Sequence, residues 1–471
     1  MNVLKKSRLS DILYIFIGGL LLCSGAIIAS FNHYIAGLLL IVGAIGLYFY
    51  IVYVVAERDW LDLRAIFTGM WLLTIGLAAL RLMDYQEPWQ AKTWVCYAIA
   101  YVACTVGGTY GSALGPRLYN WLNSQKREYS GVKFGLKKKR LFWICLGVSL
   151  IGITSFIINI CIKGYVPFFS SQPDAYLKFY TKIYLFAVAS TMISGLCYYC
   201  IVTQQISIMQ KCILWLCILY ATFAFPILVV SRGAFVTSAL SLATAIFYLH
   251  GRKLRALVAS VVVIMGIYFV LSSARGYTDA QLNTFFEPSQ IELNDPDEDA
   301  EEIIFSLPPK IAFLYCYLTV SHDNFNEAVQ NSTEYTYGIR QLEPFNTILR
   351  IDKIDDIISN GENYLVRKHL NTVNLIGQFY YDFHEFGVFF FMLLWGCVFC
   401  MIQSYYRMGK GVFALLALGN TMTPVVMSFF APWMGEFSHW MHWGVCLILL
   451  VIACTTISLS REKADNYTKE A

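Results

Sequence analysis

Apolar residues run in long uninterrupted stretches from residue 11 to residue 459, each about the length of helix that crosses ~30 Å of hydrocarbon. The first six are Ile12 to Ala29, Ile35 to Val55, Leu63 to Leu80, Trp94 to Leu114, Leu141 to Ile160 and Ile183 to Val202. Six more follow: Cys212 to Val230, Ala234 to Leu249, Leu257 to Leu271, a segment around Gly387 to Ile402, Val412 to Phe430, and Trp440 to Ile457. The pattern predicts an all-α, polytopic transmembrane helical bundle of about 12 spans. One long polar interval breaks it, so the expected organisation is membrane helices in 1–271, a large loop over 272–381, membrane helices in 382–459 and a tail over 460–471.

Lysine and arginine positions set an expected orientation, because short cytoplasmic loops hold the excess of both. With both termini cytoplasmic, inner segments hold 22 of these residues and short outer connections hold 6 (Arg81, Lys92, Lys163, Lys178, Lys182 and Arg232). The large loop then faces outward. Lys5, Lys6 and Arg8 precede a first apolar run that reads as a retained span rather than a cleaved leader. The basic stretch from Lys126-Arg127 to Lys137-Lys138-Lys139-Arg140 reads as an orientation signal.

Composition agrees with lipid as the solvent. Of 471 residues, 57% are hydrophobic and 14% charged, and the mean hydropathy is +0.55. A net charge of +4 is too small to argue for nucleic acid. Most of the fourteen cysteines fall inside apolar runs, where they act as small packing residues; the Cys197-x-x-Cys200 pair lies in one of them and predicts neither disulfide nor metal chemistry.

The outward loop holds the candidate chemistry. It carries an acidic patch (Glu287 to Glu302) read as a solvated turn without EF-hand spacing, then an amphipathic run from Ile311 to Val320, too short to span and expected on the membrane surface or as a lid. Arg232, in the Ser231-Arg232-Gly233 turn, and Arg275, in Ala274-Arg275-Gly276, are expected to face one compartment. Guanidinium groups at the hydrocarbon edge fit phosphate oxygens. The stretch Tyr380-Tyr381-Asp382-Phe383-His384-Glu385-Phe386-Gly387 returns the chain to the membrane. Asp382 is the expected general base, with a helix cap or an arginine pair as its alternative role. Glu436, His439 and His442 lack a zinc-helix spacing and are expected to pack at the interface with Trp433, Trp440 and Trp443, so no metal site is expected.

Taken together, Lys163-Gly164-Tyr165-Val166-Pro167-Phe168-Phe169, the Ser231-Arg232-Gly233 turn, the large outer loop and the Asn371 to Gly387 stretch resemble the oligosaccharide repeat unit polymerases, Wzy-type membrane enzymes of bacterial surface polysaccharide synthesis. In that family the last stretch commonly reads Tyr-x-Asp-Phe-Gly; here His384-Glu385-Phe386 separates Asp382-Phe383 from Gly387. The resemblance implies a glycosyltransferase of the bacterial cytoplasmic (inner) membrane. It would move a growing glycan from undecaprenyl diphosphate to the next lipid-linked repeat unit, without cofactor, sugar nucleotide or metal. It makes Arg232, Arg275 and Asp382 catalytic and puts Lys163, Tyr165, Arg340, Tyr381, His384 and Glu385 at the substrate. Expected partners are the undecaprenyl-diphosphate-linked oligosaccharide, membrane lipids, a chain-length regulator and a flippase. A polysaccharide ligase shares the donor chemistry, and a flippase or transporter of the same lipid is the alternative from another class. Span centres almost free of charge and the lack of a visible internal repeat weigh against transport.

Overall fold

A computed structural model describes residues 2–83, 85–128, 138–170, 175–252, scattered positions from 254 to 266, 309–349, 364–367 and 370–449. Among these residues the regular elements are all helical. Among the described residues seven helices are long and apolar enough to cross a membrane: Leu9–Ala29, His33–Val55, Arg140–Lys163, Tyr184–Thr203, Ile208–Leu228, Arg232–Leu249 and Leu375–Gly409. Leu63–Ala79 and Val412–Val426 are shorter apolar helices. The expected run Trp94 to Leu114 lies inside one 38-residue helix, Ala91–Glu128. The acidic patch, Arg275, residues 129–137 of the basic stretch, most of the Leu257 to Leu271 run and everything after residue 449 lie outside the described residues.

The chain divides into two compact units. The first comprises Met1–Ser112, Tyr277–Met401 and Pro424–Phe437. Its helices are α1 (Asn2–Ala29), α2 (His33–Tyr50) and α3 (Leu63–Ala79), with α4 (Ala91–Glu128) as far as Ser112. α2 and α3 cross closely because each presents glycine: a Cβ on Gly37 would lie 2.7 Å from the Gly76 carbonyl oxygen. Asp62 caps α3 through the Arg64 amide at 3.0 Å, and the buried Arg64 guanidinium pairs with Asp62 at 2.9 Å and with Asp11 of α1 at 3.3 Å.

The second unit comprises Ala113–Gly276, Ile402–Thr423 and Ser438–Ala471. It contains α5 (Lys138–Lys163), α6 (Ala175–Lys178), α7 (Tyr184–Ser190), α8 (Ile193–Thr203), α9 (Ile208–Leu219), α10 (Phe225–Leu228) and α11 (Arg232–Leu249). Cys145, Cys197, Cys200 and Cys217 lie in its core beside Met192, Ile193 and Leu214, which is the packing role expected of them. The described cysteines are all free thiols.

The remaining helices are α12 (Pro309–Asn331), α13 (Ile339–Leu349), α14 (Leu375–Gly409), α15 (Val412–Val426) and α16 (residues 437–449). α12 differs from the amphipathic surface segment expected over Ile311 to Val320. It continues to Asn331, and every side chain from Val320 to Asn326 is buried. Its polar residues find partners inside the first unit, which offsets the cost of burying them.

Candidate functional site

In the first unit α14 is broken at Phe383 (φ −147°, ψ 22°) and His384 (φ 49°, ψ −137°). Such a backbone at a non-glycine residue costs on the order of 1–3 kcal/mol and persists only where its surroundings hold it. Asp382 supplies that hold. Its fully buried carboxylate accepts from the Thr336 hydroxyl at 2.6 Å, the Gly338 amide at 3.0 Å and the Arg340 amide at 3.2 Å through Oδ1, and from Gln341 Nε2 at 3.1 Å through Oδ2. Two of these donors are main-chain amides at the start of α13, so an acid distant in sequence caps that helix. The helix it caps is α13, not the one that returns the chain to the membrane, inside which Asp382 itself lies. Tyr337 (φ 49°) and Gly338 (φ 87°) turn the chain onto it.

Four other predicted residues lie around Asp382. The Arg340 guanidinium stands 4.6 Å from the Tyr381 ring centroid, a cation–π contact between buried side chains. Arg340 is held further by its carbonyl, which accepts from Gln378 Nε2 at 2.9 Å. The His384 ring is stacked between Tyr335, 4.2 Å away, and Tyr380, 4.7 Å away. Glu385 pairs with Lys92 at 3.1 Å, and both are partly exposed. Arg340, Tyr381, Asp382, His384 and Glu385 therefore form one neighbourhood.

The sequence matches no protein-family model, no curated protein and no solved structure. What the site can do is therefore argued from its own chemistry.

Of the other predicted residues, Lys163, Tyr165 and Arg232 belong to the second unit, and Arg275 lies outside the described residues. Lys163 ends α5, and Gly164 (φ 77°) follows as a left-handed C-terminal cap whose amide donates to the Ile160 carbonyl at 2.7 Å. Tyr165 donates to the Ala175 carbonyl at 3.0 Å and packs on Phe179. Arg232 opens α11 behind the N-cap Ser231, whose hydroxyl accepts from the Ala234 amide at 3.2 Å; its side chain is buried. His439 accepts from Trp443 Nε1 at 3.1 Å, and His442 Nε2 donates to the Val188 carbonyl at 3.1 Å, so both imidazoles have packing roles. Among the described residues no group of three His, Cys, Asp or Glu is arranged to hold a metal.

The sequence reading missed a second polar centre in the first unit, the run Ser321-His322-Asp323-Asn324-Phe325-Asn326 of α12. His322 Nε2 donates to Thr74 of α3 at 3.0 Å, since the Thr74 hydroxyl itself donates to the Met70 carbonyl; Nδ1 accepts from Tyr97 at 2.8 Å and lies 3.3 Å from Asn374 Nδ2. Asp323 accepts from Gln86 Nε2 at 2.8 Å and Trp89 Nε1 at 2.9 Å. Asn324 donates to the Leu370 and Thr372 carbonyls, and Asn326 accepts from the Gln90 amide and Thr93 at the start of α4. Burial pushes the Asp323 carboxyl up to about 7, against the lowering effect of Trp89 and Gln86. Burial also holds the His322 imidazole down to about 3, and therefore neutral. The available signal was a cluster of short polar residues directly after an apolar run, which reads as the end of a helix rather than its buried middle.

Proposed function

We propose that the protein is a membrane glycosyltransferase that polymerises lipid-linked oligosaccharide repeat units on the outer face of the bacterial cytoplasmic membrane. In this reading it has about twelve spans, with both termini in the cytoplasm. The growing glycan passes from undecaprenyl diphosphate to a sugar hydroxyl of the next repeat unit. Support comes chiefly from one observation. Arg340, far from Asp382 in sequence, lies against it, with Tyr381, His384 and Glu385 around them.

The neighbourhood has what a polyhydroxyl acceptor requires: aromatic faces, a cation, carboxylates and amide groups. Oδ1 of Asp382 carries three donors and Oδ2 only one, so Oδ2 is the atom assigned to take the proton of the acceptor hydroxyl once Gln341 yields its place. The new bond forms from that oxygen to the anomeric carbon of the donor, whose bond to the diphosphate breaks. On the sequence reading, Arg232 and Arg275 bind the leaving diphosphate as fixed cations.

The test is the surface glycan of a producing strain whose chromosomal copy carries Arg232→Ala, Arg275→Ala or Asp382→Asn, with membrane levels of each variant measured in parallel. Single-repeat products without long chains are expected from variants present at normal levels. Full-length polymer in all three would overturn the reading, and repeat units stranded on the inner leaflet would identify a flippase instead.

A further inference from the structure

Inside the first unit the ends of α1 and α3 and the start of α4 line an open-sided cavity of about 700 Å³. That volume lies within the range of small-molecule sites. Short side chains leave the space open, with Ala26 on α1, Ala78 on α3 and Ala98 on α4 lining walls that are mostly apolar. At one end stand Arg81, Trp89 and Trp94. A tryptophan pair beside an arginine at the end of apolar helices is the arrangement expected at headgroup depth.

The rim is rigid. Trp89 Nε1 donates to the buried Asp323 carboxylate, which fixes the indole from behind, and Trp89 and Trp94 lie 5.0 Å apart. Among the described lining residues Arg81 is the charged one, so it offers a single cationic partner to an anionic headgroup.

The geometry points to a binding site for a membrane glycerophospholipid, with one acyl chain in the cavity and its singly charged phosphodiester on Arg81. The apolar walls supply affinity through area removed from water, and the guanidinium supplies a charge-assisted hydrogen bond to phosphate. A lipid held here would pack α1 against α3 and α4 and cover the outer side of Trp89. The site stands apart from the Asp382 neighbourhood and does not depend on glycan transfer.

The full-length protein in detergent is irradiated with phosphatidylglycerol bearing a diazirine on its acyl chain, and the labelled peptides are mapped by mass spectrometry. Labels are expected in residues 22–30 and 91–99. The double variant Ala26→Leu with Ala98→Leu, which fills the cavity, should lose them. Arg81→Gln should bind about tenfold more weakly, the loss of one charge-assisted hydrogen bond. A melting curve shows whether the double variant folds; if it does not, Arg81→Gln decides. The proposal is overturned if label falls elsewhere, if Arg81→Gln leaves it unchanged, or if an equimolar polyprenyl diphosphate displaces the phospholipid.

Discussion

The Arg340 amide donates to Asp382 Oδ1 at 3.2 Å across 42 positions of sequence. One carboxylate thereby joins the start of α13 to the break in α14. The Asp382→Ala variant would strand the Gly338 and Arg340 amides, each at a cost of about 1–3 kcal/mol where water cannot reach them. Asp382→Asn retains an oxygen for these donors and loses mainly the contact with Gln341, whose amide then meets another donor. The expected order of thermal stability in detergent is Asp382, then Asn, then Ala. Proteolysis between Thr336 and Gln341 should rise first in the Ala variant.

This carboxylate also marks how far the sequence could be read. Long apolar runs are visible because lipid admits few polar residues, and so helices such as His33–Val55 and Arg140–Lys163 fall where the pattern puts them. A capping role for Asp382 was legible because short acids cap helices, although the helix it caps was not. His322 and Asp323 were hidden for the opposite reason. Polar side chains are buried only when several elements supply partners, here α3, the turn before α4 and the chain leading into α14, and no local pattern reports such an assembly. A site of this kind reads locally as loop.

His384 should tolerate glycine better than a branched residue. Its φ of 49° with ψ of −137° is a region that glycine alone adopts freely. His384→Gly relieves strain worth about 1–3 kcal/mol and loses two ring stacks worth roughly 0.5–1.5 kcal/mol each, so its melting temperature should stay near the parent's. His384→Val loses the stacks and keeps the strain, and should melt several degrees lower. Equal melting of the two variants would show that the break is not strained.

His322 and Asp323 predict opposing pH dependences within one helix. Asp323 rises from an ordinary 3.8 to about 7, so its contribution to stability is full below 3.8 and is lost as pH climbs toward 7. His322 falls from 6.5 to about 3, so its contribution is full above 6.5 and is lost as pH drops toward 3. Between about 4 and 6.5 the two slopes offset one another. Asp323→Asn should therefore show stability that rises with pH across this window, and His322→Gln stability that falls with it. Glu327, which also interacts with Asp323, is titrated separately through Glu327→Gln. Denaturant unfolding of the three variants from pH 4 to pH 8 checks the signs, and parallel curves for the first two would refute the assignment.

Gly107, Gly111 and Gly396 bring α4 and α14 into backbone contact within the first unit. A Cβ on Gly107 would run into the Leu393 carbonyl, one on Gly111 into that of Cys397, and one on Gly396 into that of Cys104. The obstacle in each case is main chain, which cannot turn aside as a side-chain tip can. Alanine at any of the three must push the helices apart and should cost about 1–3 kcal/mol, as overpacking does elsewhere. Gly147 of α5 is the control, since a Cβ there meets nothing within 4 Å. Gly147→Ala should be neutral or stabilising by up to about 1 kcal/mol, the difference in helix propensity. Melting of the four alanine variants in one detergent separates the cases, because a propensity effect alone would raise all four together.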